Sequence, residues 1–418
     1  MTFSNAKHGM LLLLLALPVS ALAEDWQFGG HAKYQIVASQ YSADNVVAIA
    51  NTPDPLDQYF DIRLKADRKA ERWSYSVHYE ILGLYGDTVK TLASLPALPA
   101  LSIAPTDDRR LFNLSQTFGD GDRLAGVHRI DRAVASYADN QLVMRFGRQA
   151  ISWGDGLFFN PMDLVSPFSP TAISKEYKTG DDMIYGQWLY GNGNDLQGIL
   201  LPRRNASGDI DDNEGSYAVK YRGTTNRIEY ELLAARHYGE SVAGIGLSAD
   251  VKEAVVRFDL VNAWLTGGGN ATSGVLNASY SWSWGVHNVS GNLEYYRNGV
   301  GSDNGDYSAA FLPASDLGKR LLRGEVFGLG RDYLAANLAI ELTPRLIATP
   351  TWVHNLNDAS GIVQILLNYD WRQNNPIVFG LGLPYGAEGT EYGGIATPTP
   401  GQFYGPGITA LFQIGLYF

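Results

Sequence analysis

The chain ends with Ile408-Thr409-Ala410-Leu411-Phe412-Gln413-Ile414-Gly415-Leu416-Tyr417-Phe418. The even-numbered positions of this stretch are apolar or small throughout, from Ile408 to Phe418. Apolar residues at every second position are typical of a β-strand that presents one face to an apolar environment. The closing strand with its terminal aromatic residue is the most specific feature of the sequence.

The same alternation recurs along most of the chain. In 26–36 the even positions carry Trp, Phe, Gly, Ala, Tyr and Ile, and mostly polar residues lie between them. Several apolar faces begin or end in Trp or Tyr, as in Tyr280, Trp282 and Trp284, which is typical of aromatic girdles at membrane interfaces. The pattern predicts about 18 strands, near 25–41, 58–69, 72–85, 125–138, 140–152, 183–191, 195–203, 215–223, 226–238, 241–249, 251–265, 273–284, 286–298, 331–343, 345–356, 361–372, 375–384 and 406–418.

The connections between these strands alternate in length. Short turns such as Ala70-Glu71 and Asp139-Asn140 separate longer loops, at about 42–57, 86–124, 153–182, 204–214, 299–330 and 385–405. This alternation is typical of single-chain outer-membrane barrels, in which the long loops are extracellular. We therefore predict an all-β fold, a transmembrane antiparallel β-barrel of about 18 strands, with 16 if one hairpin near 183–203 or 241–249 is misassigned.

The N-terminus predicts export. A basic residue, an apolar run at 11–15 and small residues at Ala21 and Ala23 have the order of a secretory signal peptide. The apolar run is too short for a permanent membrane helix. We predict a signal peptide at 1–23, cleaved after Ala23, and an outer-membrane β-barrel at 24–418.

Composition narrows the class of partners. The chain has 43 acidic against 32 basic residues and no cysteine. A nucleic-acid partner is disfavoured, because such sites need a basic surface. The C-terminal Phe418 resembles the signal that the outer-membrane barrel assembly machinery recognises. The expected partners are this machinery, outer-membrane lipid, lipopolysaccharide and small solutes. A periplasmic partner protein and a homo-oligomer are retained as further alternatives.

A barrel of 16 to 18 strands leaves an aqueous channel unless loops fill it. The polar faces of the predicted strands carry charges of both signs. A basic ladder opposite an acidic wall would favour small anionic solutes, whereas mixed salt bridges would only satisfy a polar interior. The basic candidates for the pore lining are Lys33, Arg63, Lys65, Arg145, Lys220 and Arg222.

The densest motif is Phe146-Gly147-Arg148-Gln149-Ala150-Ile151-Ser152-Trp153-Gly154-Asp155-Gly156, which continues into Asn160-Pro161-Met162-Asp163. The prolines that follow prevent the loop from extending as a strand. The motif resembles the G-R-Q, W-G and N-P-x-D pattern of several porin-like outer-membrane families, including poorly characterised ones, and its G-R-Q strand also resembles one in the alginate-export channels. This resemblance implies a loop folded into the lumen, with Arg148, Gln149, Asp155 and Asp163 at the constriction. Alternatively, Arg148 pairs with Asp155 or Asp163 to fix the loop.

Two predicted loops are unexpectedly apolar. They are 91–103 and the segment near 311–327. The pattern of the second segment predicts a short helix. Exposed apolar segments usually mark contact surfaces. These two either pack into the barrel mouth as lids or hold open a groove for a hydrophobic cargo.

An enzyme is not expected. The six histidines of the mature chain lie in no recognisable motif with a nucleophile, and metal-site spacings and cofactor fingerprints are missing. We predict no metal and no cofactor. The sequence favours a channel for small polar or anionic solutes, constricted by inward-folded loops. The alternatives are a selective transporter or export conduit for a polysaccharide or a hydrophobic compound, and a non-conducting barrel that serves adhesion or structure.

Overall fold

The computed structural model describes residues 26–94, 106–119, 121–173 and 175–418. The predicted signal peptide and its cleavage site lie outside the described residues, as do residues 95–103 of the first apolar loop. The strands are β1 Trp26–Gln40, β2 Leu56–Ala70, β3 Trp73–Gly86, β4 Ser115–Gly119, β5 Leu124–Ala138, β6 Leu142–Gln149, β7 Asp181–Leu189, β8 Asp195–Leu201, β9 Ser216–Thr225, β10 Ile228–His237, β11 Glu240–Val251, β12 Ala254–Trp264, β13 Asn270–Trp284, β14 His287–Arg297, β15 Asp332–Thr343, β16 Leu346–Asn355, β17 Ser360–Arg372, β18 Asn375–Tyr385, β19 Ile395–Ala396, β20 Phe403–Tyr404 and β21 Ile408–Tyr417.

Eighteen of these strands, all except β4, β19 and β20, form one closed antiparallel barrel. The closure is visible at Ala32 of β1, which lies opposite Ile62 of β2 on one side and Leu416 of β21 on the other. A closed sheet has no free edge to pair with another chain. The predicted fold class and the count of 18 are confirmed, and the alternative of 16 is wrong.

Eight turns lie at one end of the barrel, which we call the turn end. They join β2 to β3, β5 to β6, β7 to β8, β9 to β10, β11 to β12, β13 to β14, β15 to β16 and β17 to β18. The long connections lie at the opposite end, the loop end. Because the strand number is even, β1 begins and β21 finishes at the turn end. Strand boundaries differ from the predicted ones by a few residues, because hairpin ends carry little pattern of their own.

In the described parts of the loop-end connections there are four short helical segments. They are α1 (Val46–Ala50), α2 (Thr88–Ser94), a 3-10 turn (Ser308–Phe311) and α3 (Asp316–Arg323). The side chain of Ser315 caps the start of α3, and Gly324, at φ +67°, ends it in the left-handed conformation. The helix that the sequence predicts near 311–327 is therefore present. None of the helices among the described residues is long and apolar enough to cross a bilayer.

The outer surface of the barrel is an apolar belt. Along β2 the exposed residues Phe60, Ile62 and Leu64 alternate with inward Asp61 and Arg63. Exposed tryptophans cluster at the turn end, where Trp73, Trp188, Trp284 and Trp371 stand next to the short turns. Such a belt with aromatic residues at its margin fits a hydrocarbon layer bounded by its interfaces.

The described residues form two buried apolar clusters in the interior. One joins Ile151, Trp153, Met162 and Val165 of the β6–β7 connection to inward residues of β7–β12. The other joins Phe158 and Phe159 of the same connection to inward residues of β13–β17. The described residues 150–173 and 175–180 therefore lie inside the barrel, and we call this connection the inward loop. A wide barrel cannot fill its lumen with wall side chains alone, so a loop supplies this packing.

Candidate functional site

The inward loop begins where β6 leaves the wall. Gly147 has φ +111°, and a Cβ there would lie 2.1 Å from the carbonyl oxygen of Ala133, so only glycine fits. Beyond Gln149 the chain turns inward, and the indole Nε1 of Trp153 donates to Oε1 of Gln197 on β8 at 2.7 Å. The predicted inward loop is thus directed by the glycines of the motif and held by its tryptophan.

The first attachment of the inward loop to the opposite wall is on β12 and β13. The backbone N–H of Asp155 donates to Oδ2 of Asp259 at 2.8 Å, and Nδ2 of Asn277 donates to the carbonyl of Asp155 at 2.9 Å. Gly154 has φ +81°, and a Cβ on it would lie 3.0 Å from the same Asp259 carboxylate. The side chain of Asp259 is fully buried under this contact.

The second attachment is on β14. The carboxylate of Glu294 accepts the backbone N–H groups of Leu157, Phe158 and Phe159 at 2.6, 3.1 and 2.8 Å. Glu294 is fully buried, so its charge is compensated by these amides. The ring of Phe159 also stacks on Tyr296, with centroids 4.3 Å apart. One acidic side chain thus fixes three consecutive residues of the loop.

A buried ion pair joins the two halves of the inward loop. Nζ of Lys178 donates to the carboxylate of Asp163 and, at 2.9 Å, to the carbonyl of Ile151. Burial raises the pKa of Asp163 to about 6, although the charge of Lys178 opposes that rise. Burial lowers the pKa of Lys178, and Asp163 opposes that change too. This pair closes the loop on itself.

The last attachment is on the strands that close the barrel. The carboxylate of Glu176 binds Nζ of Lys33 and accepts the hydroxyl of Tyr417 at 2.8 Å. Burial alone would raise the pKa of Glu176, but the hydrogen bonds from Lys33 and Tyr417 lower it. The ring of the neighbouring Tyr177 stacks under the guanidinium of Arg63, and its hydroxyl accepts from Lys65 at 2.8 Å. The inward loop therefore spans the lumen from β12–β14 to β1, β2 and β21.

The predicted basic candidates line the interior but are mostly neutralised. Ion pairs join Arg63 to Glu80 and Asp131, Lys220 to Glu231, and Arg222 to Asp195. Acids and bases are thus interleaved on neighbouring strands and are not separated on opposite walls. Two candidates differ from the others. Among the described residues, neither Lys65 nor Arg145 has a carboxylate within 4.0 Å; Arg145 lies over the ring of Tyr185, 4.9 Å from its centroid.

Arg148 does not pair with Asp155 or Asp163, so that alternative is wrong. Its guanidinium donates twice to Asp182 at 2.9 Å, once to Asp107 at 2.6 Å, and to the carbonyl of Phe112 at 2.7 Å. Asp107 and Phe112 belong to the segment that precedes β4. Strand β4 pairs with β5 beyond the point where β6 ends. Because β6 has turned into the lumen, this segment fills the wall instead, and Arg148 joins it to β7.

The other motif residues have separate roles. Gln149 donates to the carbonyl of Met183 at 3.2 Å, which holds the last residue of β6 on β7. Asp155 is half-buried at the β12 attachment. Burial raises its pKa, and the charge of Glu231 raises it further. The structure thus brings Asp155 and Asp163 into the lumen and leaves Arg148 and Gln149 in or beside the wall.

The inner face of β13–β18 and β21 is largely uncharged. Its large outward residues, such as Leu276, Leu338 and Ile365, are exposed, so the alternate residues face the lumen. The charged residues on this face are Glu294 under the loop and Glu341 and Asp370 near the turn end. The rest of its polar lining is amide and hydroxyl, with Asn277, Ser279, Ser281, Ser290, Asn292, Asn337, Thr349, Thr351, Gln364, Asn368 and Gln413.

The sequence missed the residues that hold the loop. Asp259 and Glu294 lie on the polar faces of predicted strands, but nothing in the sequence marked them as partners of backbone amides. Glu176, Tyr177 and Lys178 lay in a predicted loop without an assigned role. The charged run at 175–178, just before β7, is the signal that could have identified the return of the loop to the wall.

Loops also cover part of the loop end. Arg320 of α3 pairs with Glu240 of β11 and with Glu325, at the β10–β11 side of the mouth. On the other side, Glu391 accepts the hydroxyl of Tyr333 at 2.6 Å and Nδ2 of Asn355 at 2.7 Å. Burial raises the pKa of Glu391 to about 7. The connections 298–331 and 386–407 are therefore ordered against the wall.

Several solved structures share this architecture. A BenF-like porin from Pseudomonas fluorescens matches with a TM-score of 0.51 at 10% identity, over 94% of this chain and 99% of that one. OccK5 of Pseudomonas aeruginosa matches with a TM-score of 0.53 at 10% identity, over 94% and 98%. This chain has the fold of the outer-membrane porins. At this identity the likeness concerns the fold alone.

A third similar barrel is Wzi of Escherichia coli, described as a carbohydrate-binding β-barrel involved in group 1 capsule assembly. Its TM-score is 0.52 at 10% identity, over 96% of this chain and 86% of that one. The profile of a family described as "Protein of unknown function (DUF1302)" matches residues 132–286, which include β6, the inward loop and β7–β13 of the porin-like barrel. No curated protein sequence matches the chain.

Proposed function

We propose that this porin-like barrel is an outer-membrane channel through which small polar or anionic solutes diffuse past the inward loop. The observation that carries this proposal is the attachment of the inward loop to opposite walls, at Asp259, Glu294 and Lys33. A loop held in this way narrows a wide lumen without adding a mobile element. The chain would be exported, processed after Ala23 and inserted by the barrel assembly machinery, with its long loops outside the cell.

The charge pattern supports only a weak preference for anions. Most lumenal cations are paired, so they contribute little net field to the lumen. Lys65, Arg145 and Arg257 are part-exposed and lack a carboxylate partner within 4.0 Å among the described residues, so they add positive potential to the lumen. Of the basic residues predicted to line the pore, Lys65 and Arg145 are therefore the two expected to affect selectivity.

A second candidate is a conduit for a polysaccharide. The uncharged amide and hydroxyl face of β13–β18 and β21 supports it, because such groups exchange hydrogen bonds with sugar hydroxyls as readily as with water. The carbohydrate-binding barrel Wzi has a similar fold, though its low identity lends this candidate no further weight.

The test is single-channel recording of the refolded mature chain in a planar bilayer, with the reversal potential measured across a salt gradient. We expect discrete openings of constant size and a reversal potential biased towards anions. Addition of a neutral oligosaccharide should leave the current unchanged in a general channel and should reduce it in a polysaccharide conduit. A folded barrel without conductance would contradict both candidates and favour an adhesive or structural role.

A further inference from the structure

A shallow groove of about 540 Å³ crosses the outer face of the barrel on β7–β10. Its floor is formed mostly by small outward residues, with Gly186 on β7, Gly198 on β8 and Ala234 on β10. Leu200 and Tyr217 project beside the floor, on the side of the loop end, and are 48% and 40% exposed. The groove is therefore a depression in the apolar belt, with the shape of a site for acyl chains.

A second outer groove, of about 550 Å³, lies on β13–β17 and provides a comparison. It also has small residues in its floor, such as Ala278 and Ala336, between larger ones such as Trp282 and Trp352. No charged residue lines this second groove in the described part of the chain, whereas Arg236 lines the first. An acyl chain alone fits either groove, so the cation marks the first one for a lipid with an anionic head.

Arg236 stands at the margin of the apolar belt. It is exposed, precedes the last residue of β10 at the loop end, and lies opposite Tyr217 of β9 and Ser241 of β11. Within the described ranges no carboxylate lies within 4.0 Å of it. A guanidinium binds phosphate in a bidentate fashion, and the two exposed hydroxyl groups beside it are further donors. This arrangement favours a phosphate at the loop-end side of the groove.

Two more arginines lie farther towards the loop end on the same face. The isolated pairing of Arg110 with Arg203 joins the segment before β4 to the continuation of β8, and both of these residues are buried. Because side chains alternate along an extended chain, the adjacent Arg109 and Arg204 face outward. Arg204 lies roughly 13 Å farther along the chain than Leu200, and its guanidinium donates to backbone carbonyl groups. Neither outward arginine has a described carboxylate within 4.0 Å, so the margin can hold more than one phosphate.

Carboxylates also occur in these connections, and they would repel a bare anion. They are part-exposed or exposed and have no basic partner within 4.0 Å among the residues that the structure describes, at Asp108, Asp209, Asp211, Asp212 and Glu214. Magnesium ions bind carboxylates and phosphates together, so they remove this repulsion when they bridge the two. The margin therefore fits a phosphorylated head that arrives with divalent cations.

We infer that this groove and its arginine margin bind the lipid A part of lipopolysaccharide, which carries two phosphates and several acyl chains. The acyl chains lie over Gly186 and Gly198, one phosphate meets Arg236, and the other meets Arg109 and Arg204. A phospholipid has a single phosphate and leaves part of the margin empty. The site rests on the proposed orientation, with the long loops outside the cell, and it is independent of conduction.

The test is native mass spectrometry of the mature chain in detergent micelles with magnesium acetate, which counts the lipids that stay bound. Lipid A, phosphatidylglycerol and phosphatidylcholine are titrated separately. We expect lipid A to bind about tenfold more tightly than phosphatidylglycerol, because a second phosphate is held by charge-assisted hydrogen bonds. Equal binding of phosphatidylglycerol would overturn the assignment to lipid A, and equal binding of phosphatidylcholine would overturn the anionic site as a whole.

Charge variants locate the phosphate. Arg236→Gln should weaken lipid A binding about tenfold. Arg297→Gln, which changes an exposed arginine at the loop end of β14, is the matched control and should bind lipid A like the parent chain. If both variants bind lipid A equally well, the phosphate does not lie at Arg236.

A second pair of variants tests the groove without changing charge. A Cβ on Gly198 would meet only the carbonyl oxygen of Ala218, at 3.8 Å, so Gly198→Leu fits the backbone and fills the floor. It should weaken lipid A binding, whereas Ala278→Leu in the second groove should not. Resistance of each folded barrel to heat, read as a gel shift, confirms folding. Loss of binding would leave the channel proposal intact, because single-channel recording tests that proposal separately.

Discussion

Oε1 of Glu294 accepts the backbone N–H of Phe159 at 2.8 Å, so the middle of the inward loop is tied directly to strand β14. The same carboxylate holds the two preceding amides. A carboxylate can accept several N–H groups, but an amide side chain offers a single acceptor oxygen. The position of the loop therefore depends on the chemical identity of Glu294.

Replacing Glu294 by Gln should release the inward loop. We expect a loss of about 1.5–3 kcal/mol in the free energy of unfolding, because hydrogen bonds to a charged acceptor are lost inside the barrel. Single-channel conductance should rise or fluctuate. Glu341→Gln, near the turn end of β15, is the matched control and should change neither quantity. Unchanged conductance in Glu294→Gln would show that the loop does not limit the current.

The pair of Asp163 and Lys178 predicts a pH dependence of stability. Asp163 has a pKa of about 6 in the folded chain and about 3.9 when unfolded, so the folded state holds more protons between these values. The free energy of unfolding that this group contributes should therefore fall by roughly 2 kcal/mol as pH rises from about 4 to about 7, and it should stay level above that. Urea unfolding at several pH values, followed by tryptophan fluorescence, measures this.

In Asp163→Asn this pH-dependent component should disappear, whereas Asp250→Asn at the exposed end of β11 should retain it. The asparagine variant should also be less stable at neutral pH by about 3–5 kcal/mol, because Lys178 is then left buried without its partner. Parallel pH profiles for the variant and the parent chain would argue against a buried, pH-sensitive Asp163.

Arg148 is expected to stabilise the barrel wall beside β6. Its guanidinium binds Asp107, Asp182 and the carbonyl of Phe112, a planar pattern that lysine cannot reproduce. Arg148→Ala should cost about 3–5 kcal/mol and Arg148→Lys somewhat less. Resistance of the folded barrel to heat in detergent, read as a gel shift, reports this loss. Arg345→Ala, in an exposed turn, should behave like the parent chain, and an equally stable Arg148→Ala would refute the proposed wall contact.

Lys65 and Arg145 are expected to set ion selectivity. Replacing both by Glu should move the reversal potential towards cation preference, because two part-exposed positive charges become negative within the lumen. Single-channel conductance should change less than selectivity. Arg227→Glu in a turn outside the barrel supplies the comparison. If the double variant and Arg227→Glu give the same reversal potential, the two side chains do not line the conducting path.

The sequence alone determined the barrel. Alternation with a period of two is a local property of the sequence, and it shows which face of each strand meets lipid. Segments such as Phe60–Ala66 and Ile408–Phe418 could therefore be assigned as strands without any knowledge of their contacts. The glycines and prolines after Gly147 are also local signals, and they correctly placed a rigid loop after β6. The strand count followed from the same patterns.

Only the tertiary structure decided what the charges do. Arg148 meets Asp107, 41 positions away, because β6 leaves the wall and a distant segment takes its place. Glu294 meets Phe159 across the lumen, 135 positions away in sequence. The alternation along a strand does not identify such partners. An inward carboxylate occupies the same kind of position in the pattern whether its partner is an ammonium, a guanidinium or a row of backbone amides. The partners, and hence the neutralised lumen and the tethered loop, arise when closure of the barrel brings the strands together.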